Sequence, residues 1–138
     1  MSAPGTLEPT APQLQQLLAA SAANGEAVVM INLLRFKERA DGIDAEDGIS
    51  GAEAYGRYAA SVGAHLERVG AQILLALRAS ESIIGPDEHE WDMVIAVRYP
   101  SRQAFLEMTS NPEYLKIHGH RTAALADSRL IACASLGA

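Results

Sequence analysis

The chain is poor in most of the features that name a chemistry at sight. It has one cysteine, Cys133, so no internal disulfide can staple it. That thiol lies in the apolar run Leu130-Ile131-Ala132-Cys133-Ala134 with no activating base beside it, which reads as a small buried residue rather than a nucleophile. Positive charge is scarce: 11 Lys and Arg stand against 17 Asp and Glu, a formal net charge of −6. Without a basic stripe interleaved with aromatics, a phosphate backbone or anionic membrane surface is repelled, so neither nucleic acid nor membrane is an expected partner. No apolar run approaches the roughly 18–20 residues that span a bilayer. Residues 1–12 carry neither a positive n-region nor an apolar h-region, and the expected address is cytoplasmic. A Gly-rich phosphate loop, a G-x-S-x-G elbow, H-E-x-x-H and C-x-x-C are all missing, and no cofactor is implied.

What is present reads as one domain of 138 residues, long enough to bury a core without staples. Residues 1–9 read as a disordered tail and 10–138 as the domain. Thr10-Ala11-Pro12-Gln13 is a capping-box pattern, and Leu14, Leu17 and Leu18 follow at helical spacing, predicting a helix over 11–23 that ends near Asn24-Gly25. Residues 28–34 form a short apolar run, a buried strand. Residues 37–50 are a long loop of charges and glycines, and Asp41, Asp44, Glu46 and Asp47 read as its solvated acidic face, without the spacing of an EF-hand.

Ser50-Gly51-Ala52-Glu53 is a second capping box. It opens a helix with Tyr55, Tyr58, Val62, Leu66 and Val69 on one face, running to Gly70. Gly56, Ala60 and Gly63 form a small-residue stripe suited to close approach by a neighbour. Residues 73–77 predict a strand that extends as far as Ile84, and 93–97 its hairpin partner across Gly85-Pro86. Ser101 caps a helix with Phe105 and Met108 inward. Asn111-Pro112 restarts helix, with Gly119 as a kink and an end near Ala126. Residues 130–134 are the last strand. The order is helix, then βαββαβ: an α+β, ferredoxin-like fold with an extra N-terminal helix.

A four-stranded sheet with helices on one face should alternate apolar and polar residues. These strands do not alternate: residues 28–34 hold one polar side chain, and residues 93–97 and 130–134 hold none. Both faces therefore need cover. The N-terminal helix could supply part of it, and a second copy packed about a two-fold axis could supply all of it, so a homodimer is expected.

Several stretches together resemble one family. They are Asn32-Leu33-Leu34-Arg35-Phe36-Lys37, Tyr55-Gly56-Arg57-Tyr58, Gly70, Trp91-Asp92, residues 99–105, Pro112-Glu113-Tyr114, Arg121 and Asp127-Ser128-Arg129-Leu130. Over residues 27–135 the chain resembles the domain of unknown function 1330 family, of the dimeric α/β-barrel group. Two departures are the additional N-terminal helix and Gly70-Ala71 where the family usually has paired glycines. The resemblance implies the fold and the barrel dimer. It implies no activity, since relatives on this fold include cofactor-free monooxygenases, lactone isomerases, haem enzymes and ligand sensors.

The residues offer few candidates for chemistry. Asn32 is the polar side chain of the first strand, either lining a pocket or satisfied by neighbouring backbone. Arg35, Arg98 and Arg121 lie near element ends. A guanidinium there suits a carboxylate ligand, or equally a salt bridge to Asp92, Glu113 or Asp127. Tyr58 and His65, seven apart, share a helical face, and His65 is a proton carrier or core packing. Trp91 walls a pocket or serves the sheet. In His118-Gly119-His120-Arg121 the two histidines diverge by roughly 200° on a helix, so no metal site is expected. His118 as a general acid or base beside Arg121 is the better reading.

The expected function is a small-molecule enzyme or enzyme-like binder acting on a small organic acid, by proton transfer or cofactor-free oxygenation. Its pocket would lie between sheet and helices near the long loop. Asn32 and Arg35 would help bind, Tyr58 and Trp91 would wall the pocket, His65 would line it, Arg121 would supply charge and His118 would move a proton. The alternative is a non-catalytic ligand-binding or structural dimer.

Overall fold

Two capping boxes and a set of short apolar runs fix most of the architecture. The computed structural model describes residues 7–23 and 25–136. Its elements are α1 (Ala11–Ala23), β1 (Val28–Phe36), a 3-10 segment (Gly42–Asp47), α2 (Gly51–Arg68), β2 (Gln72–Arg78), β3 (Met93–Tyr99), α3 (Arg102–Ser110), α4 (Pro112–Ala124) and β4 (Leu125–Cys133). This is the predicted α+β, ferredoxin-like order, with the second helical crossover split in two at Asn111. At α1, Thr10 and Gln13 exchange hydrogen bonds, the Thr10 amide to Gln13 Oε1 at 2.8 Å and the Gln13 amide to Thr10 Oγ1 at 3.3 Å. At α2, Ser50 Oγ accepts from the Glu53 amide at 3.0 Å and Glu53 Oε1 from the Ser50 amide at 3.4 Å. Each box satisfies amides that the first helical turn would otherwise leave open. Ser101 and Asn111 cap α3 and α4 as expected.

The four strands form one antiparallel sheet in the order β2-β3-β1-β4. Strand alternation divides it into two faces. On the inner face, Met30 stands opposite Val97 and Ala132, Asn32 opposite Ile95 and Leu130, and Leu34 opposite Met93 and Ser128. Val28, Met30 and Leu34 from this face join Tyr55, Tyr58, Val62 and Leu66 of α2, Ala104 and Met108 of α3, and Tyr114 and Ala124 of α4 in one core. On the outer face, Ile31 stands opposite Ala96 and Ile131, Leu33 opposite Val94, and Leu75 and Leu77 opposite Ala96 and Val94. This face is open: Leu75 is 42%, Ile131 48% and Leu77 54% exposed. Helix α1 packs beside α3, with Leu17 against the core, so it does not cover the outer face.

Several expectations are corrected. Strand β2 ends at Arg78, and Ile83 and Ile84 stand exposed in the long connection to β3 rather than extending the strand. Cys133 is partly exposed rather than buried, because β4 presents it on the outer face opposite Val29. The stripe of Gly56, Ala60 and Gly63 meets no neighbour among the described residues, where a Cβ built on either glycine finds nothing within 4 Å, so any close approach there would come from outside them. Gly119 does not kink α4, which is continuous from Pro112 to Ala124. Its missing side chain instead admits Ile43, whose Cδ1 would lie 2.8 Å from an added Cβ. Gly51 is a tighter case: a Cβ there would lie 2.3 Å from the Lys37 carbonyl oxygen and 2.6 Å from that of Ala124, so the end of β1, the start of α2 and the end of α4 meet backbone to backbone. Of the tail expected over residues 1–9, residues 1–6 lie outside the described residues, as does Asn24 at the expected end of α1. Leu7 packs against the core.

Candidate functional site

Helices α2 and α4 run against each other over the inner face of the sheet. Residues three, four and seven apart on a helix share a face, so α2 presents Tyr55, Tyr58 and His65 together, and α4 presents Tyr114, His118, Arg121 and Thr122. The rings form a connected chain. Phe36 and Tyr55 have centroids 5.4 Å apart, Tyr55 and Tyr58 5.4 Å, and Tyr58 and Tyr114 6.2 Å. His65 and His118 flank Tyr114 at 5.8 and 5.7 Å. The Tyr58 and Tyr114 hydroxyls are hydrogen-bonded at 3.0 Å, and the Tyr114 hydroxyl lies 3.4 Å from His118 Nδ1.

Arg121 sits at the centre of this cluster and is 8% exposed. Burial pushes the hydroxyls of Tyr55, Tyr58, Tyr99 and Tyr114 above the ordinary tyrosine value, and the charge of Arg121 pulls each of them back. The net direction is upward, so at neutral pH all four are uncharged hydrogen-bonding groups and none is a base. Among the described residues no carboxylate lies within 4 Å of the Arg121 guanidinium. Its one hydrogen bond there runs from Nη1 to the Leu7 carbonyl oxygen at 3.4 Å. The expected choice between ligand arginine and salt-bridge arginine thus falls differently for Arg121 and Arg35. Arg35 faces outward and reaches Asp127 at 3.9 Å, a carboxylate it shares with Arg129 at 2.8 Å.

His65 is 9% exposed, and its Nδ1 is buried without a hydrogen-bond partner among the described residues. A buried polar atom left without a partner costs roughly 1–3 kcal/mol. His118 Nε2 is 2.8 Å from Glu8 Oε1, which also accepts from Thr122 Oγ1 at 3.1 Å. Asn32 projects from the same sheet face as Met30 and Leu34, with its side chain partly exposed.

The remaining expected residues fall elsewhere. Trp91 lies under the guanidinium of Arg129, 5.3 Å from its ring centroid. Since Arg129 pairs with Leu33 and Arg35 with Asp127 on the outer face, Trp91 and Arg35 do not join the tyrosine cluster. His120 points away from His118, as the helical angle requires, and its Nδ1 meets Asp44 at 2.9 Å. No group of three or more His, Cys, Asp and Glu side chains converges among the described residues.

Asp44 was expected on a solvated acidic face and is instead 1% exposed. It binds both His120 and Arg57, the latter at 2.7 Å, so the long loop is tied to α2 and α4 rather than free. A depression of about 440 Å³ on this loop is lined by Glu38, Arg39, Gly48, Ile49, Ser50 and Glu53. None of the expected site residues lines it.

Tyr114, Glu8 and Asp44 join these contacts without a sequence pattern that marks them as site residues. Tyr114 was legible as a resemblance position and as the residue four before His118. Glu8 lies 110 residues from its partner, and nothing local signals such a contact.

Comparison with known proteins adds a family. Residues 45–134 match the model described as a domain of unknown function, DUF1330. The chain belongs to this family. A protein of unknown function from Rhodopseudomonas palustris, RPA0582, is 35% identical over 97% of this chain and 99% of that chain, with a TM-score of 0.88. The methylated form of RPA0582 gives 36% identity, 96% coverage of each chain and a TM-score of 0.86. A Dabb family protein with a ferredoxin-like fold from Mesorhizobium loti is 11% identical over 80% of this chain and 98% of that chain, with a TM-score of 0.54, a likeness of fold alone. No curated protein matches. Among the described residues no helix is long and apolar enough to cross a membrane.

Proposed function

We propose that this DUF1330 protein binds a small organic acid at Arg121 and that His118 exchanges a proton with it. The observation that carries this reading is a buried guanidinium with no carboxylate partner among the described residues. Taking a cation out of water costs several kcal/mol unless it is paired, and a single 3.4 Å bond to a carbonyl oxygen compensates poorly. A carboxylate ligand, held by the planar fork of the guanidinium, completes the pairing. The uncharged tyrosines wall the site and keep its dielectric low, which strengthens that pairing. His65 Nδ1 offers a second polar contact, and Asn32 a third from the sheet. His118, within hydrogen-bonding range of Tyr114 and beside Arg121, is the group suited to take a proton from, or return one to, a part of the ligand other than its ionised carboxylate.

The outer sheet face supports a homodimer, in which a second copy covers Ile31, Leu33, Leu75, Leu77 and Ile131. Left open, so continuous an apolar face is an aggregation liability. The mutual hydrogen bond of Tyr58 and Tyr114 favours the other reading, a non-catalytic dimer whose polar core satisfies itself. Native mass spectrometry of the purified protein, followed by denaturation to release bound molecules, separates the two. A dimer that carries a small acid in the parent protein and loses it in Arg121→Gln supports the site. A ligand retained in Arg121→Gln and in His118→Ala moves the weight to the second reading.

A further inference from the structure

Three side chains on one face of α4 point at the same short piece of chain. His118, Arg121 and Thr122 occupy positions i, i+3 and i+4, and their polar atoms all meet residues 7–8. Glu8 Oε1 takes His118 Nε2 at 2.8 Å and Thr122 Oγ1 at 3.1 Å, while the Leu7 carbonyl oxygen takes Arg121 Nη1 at 3.4 Å. An imidazole, a guanidinium and a hydroxyl gathered around oxygen atoms form a site for an anion, and here the chain's own N-terminal segment fills it.

We propose that Leu7 and Glu8 are a tethered occupant of the Arg121 site, holding the place that the carboxylate of a small organic acid takes when the site is loaded. The proposal rests on the reading of Arg121 given above and adds to it what fills the site before the acid enters. The contact with Arg121 is weaker than the one that would replace it. The Arg121 bond to Leu7 is long, is made to a neutral oxygen and uses one nitrogen, whereas a free carboxylate can engage the guanidinium with both oxygens. The Glu8 side chain is half exposed, so solvent screens its attraction to His118. The anchor of the segment lies beside it. Pro9 restricts the backbone, and the Thr10 and Gln13 box fixes the start of α1. Release of residues 7–8 therefore leaves α1 in place. The Leu7 side chain, packed against the core, makes release costly enough that the empty site stays closed.

The test is a titration with acetate and benzoate, with benzamide as the uncharged control, followed by calorimetry and by NMR. Glu8→Gln keeps the size of the side chain and removes its charge. When the competent fraction of a site rises, apparent affinity rises by the same factor, so Glu8→Gln is expected to bind benzoate about tenfold more tightly than the parent, with benzamide unchanged. Adding Arg121→Gln is expected to abolish binding. In the parent protein, contacts between the Glu8 methylene protons and the His118 ring are expected to vanish at saturating benzoate, a measurement that needs no variant to fold. Equal benzoate affinity in parent and Glu8→Gln, with binding still dependent on Arg121, overturns the tethered occupant and leaves the acid site standing. Persistence of the Glu8 to His118 contacts at saturation does the same. If neither acid binds the parent or Glu8→Gln, the acid site itself fails and the tethered occupant with it.

Discussion

The two faces of the sheet are built from nearly the same residues and end in different states. On the inner face, Leu34 is fully buried beneath α2 and α4; on the outer face, Leu77 and Ile131 remain about half exposed. Apolar content alone does not distinguish them, since β1 alternates Met30, Ile31, Leu33 and Leu34 between the faces with little change in chemistry. The difference lies in what the chain has left to cover each side. Its helices are spent on one face, and the charged residues of the outer face, Arg35, Arg129 and Asp127, gather near one end of the sheet beside Trp91. An apolar centre with a charged margin is the layout of a protein interface.

The sharpest way to break this comparison is to make one change on both sides. Leu34→Ala empties a fully buried site and is expected to cost about 3 kcal/mol in urea unfolding at every protein concentration. Leu77→Ala is expected to cost less than about 0.5 kcal/mol in dilute protein, with the loss growing as concentration rises, because it weakens association rather than the fold. A Leu77→Ala cost independent of concentration would remove the case for a second copy on that face.

Next in size is the buried carboxylate of the inner side. Asp44 holds the long loop through Arg57 and His120, and Asp44→Ala leaves the guanidinium and the imidazole without it. Since Arg57 and His120 keep partial access to water, the expected cost is about 2 kcal/mol rather than the larger loss of a fully buried pair. Hydrogen exchange should localise the effect to residues 38–50. Exchange unchanged in that segment would mean the loop is held by Ile43 and Gly119 alone.

This contrast also marks how far the sequence could be read. The existence and apolar character of each strand and both capping boxes are local properties, and they are legible in the sequence; the start of β4 at Leu125, inside what reads as the end of the last helix, is not. Whether Arg35 or Arg121 would lack a carboxylate partner among the described residues was not legible either. Arg35 and Arg121 look alike in sequence, and only the antiparallel register that sets Arg35 against Asp127 separates them. Asp44 looked like one of four acidic loop residues until the 3-10 turn aimed it inward. The long connection after β2 was misread because Ile83 and Ile84 continue a β-prone pattern past the last residue that pairs with β3.

A third effect depends on pH and belongs to the inner side alone. Burial raises the four tyrosine hydroxyls above their ordinary value. Below about pH 10 they are protonated whether the chain is folded or unfolded. As pH rises further, the unfolded chain releases these protons while the folded chain holds them. The unfolded state then binds fewer protons, and stability falls by up to about 1.4 kcal/mol per pH unit per tyrosine until the folded groups also ionise. Tyr55→Phe removes one such group, and the Tyr55 hydroxyl makes no hydrogen bond among the described residues. Its stability at pH 7 is expected to match the parent and its decline above pH 10 to be shallower. Parallel declines in the two proteins would show that Tyr55 does not titrate with the fold.

The smallest effect tests a surface that belongs to neither face. Gly56 and Gly63 lie on the exposed side of α2, with nothing within 4 Å of an added Cβ. If no partner approaches there, alanine restricts the unfolded chain and fits the helix, and Gly56→Ala is expected to stabilise the protein by about 0.5–1 kcal/mol. The sequence had suggested that this small-residue stripe serves close packing, and a second copy docked on it would reverse the sign, since a methyl group would then meet the partner's backbone. Measured at low and high protein concentration, a gain that persists at both excludes α2 as the contact of a dimer and leaves the open sheet face as the candidate. A gain in dilute protein that turns to a loss when concentrated would move the contact to the helix.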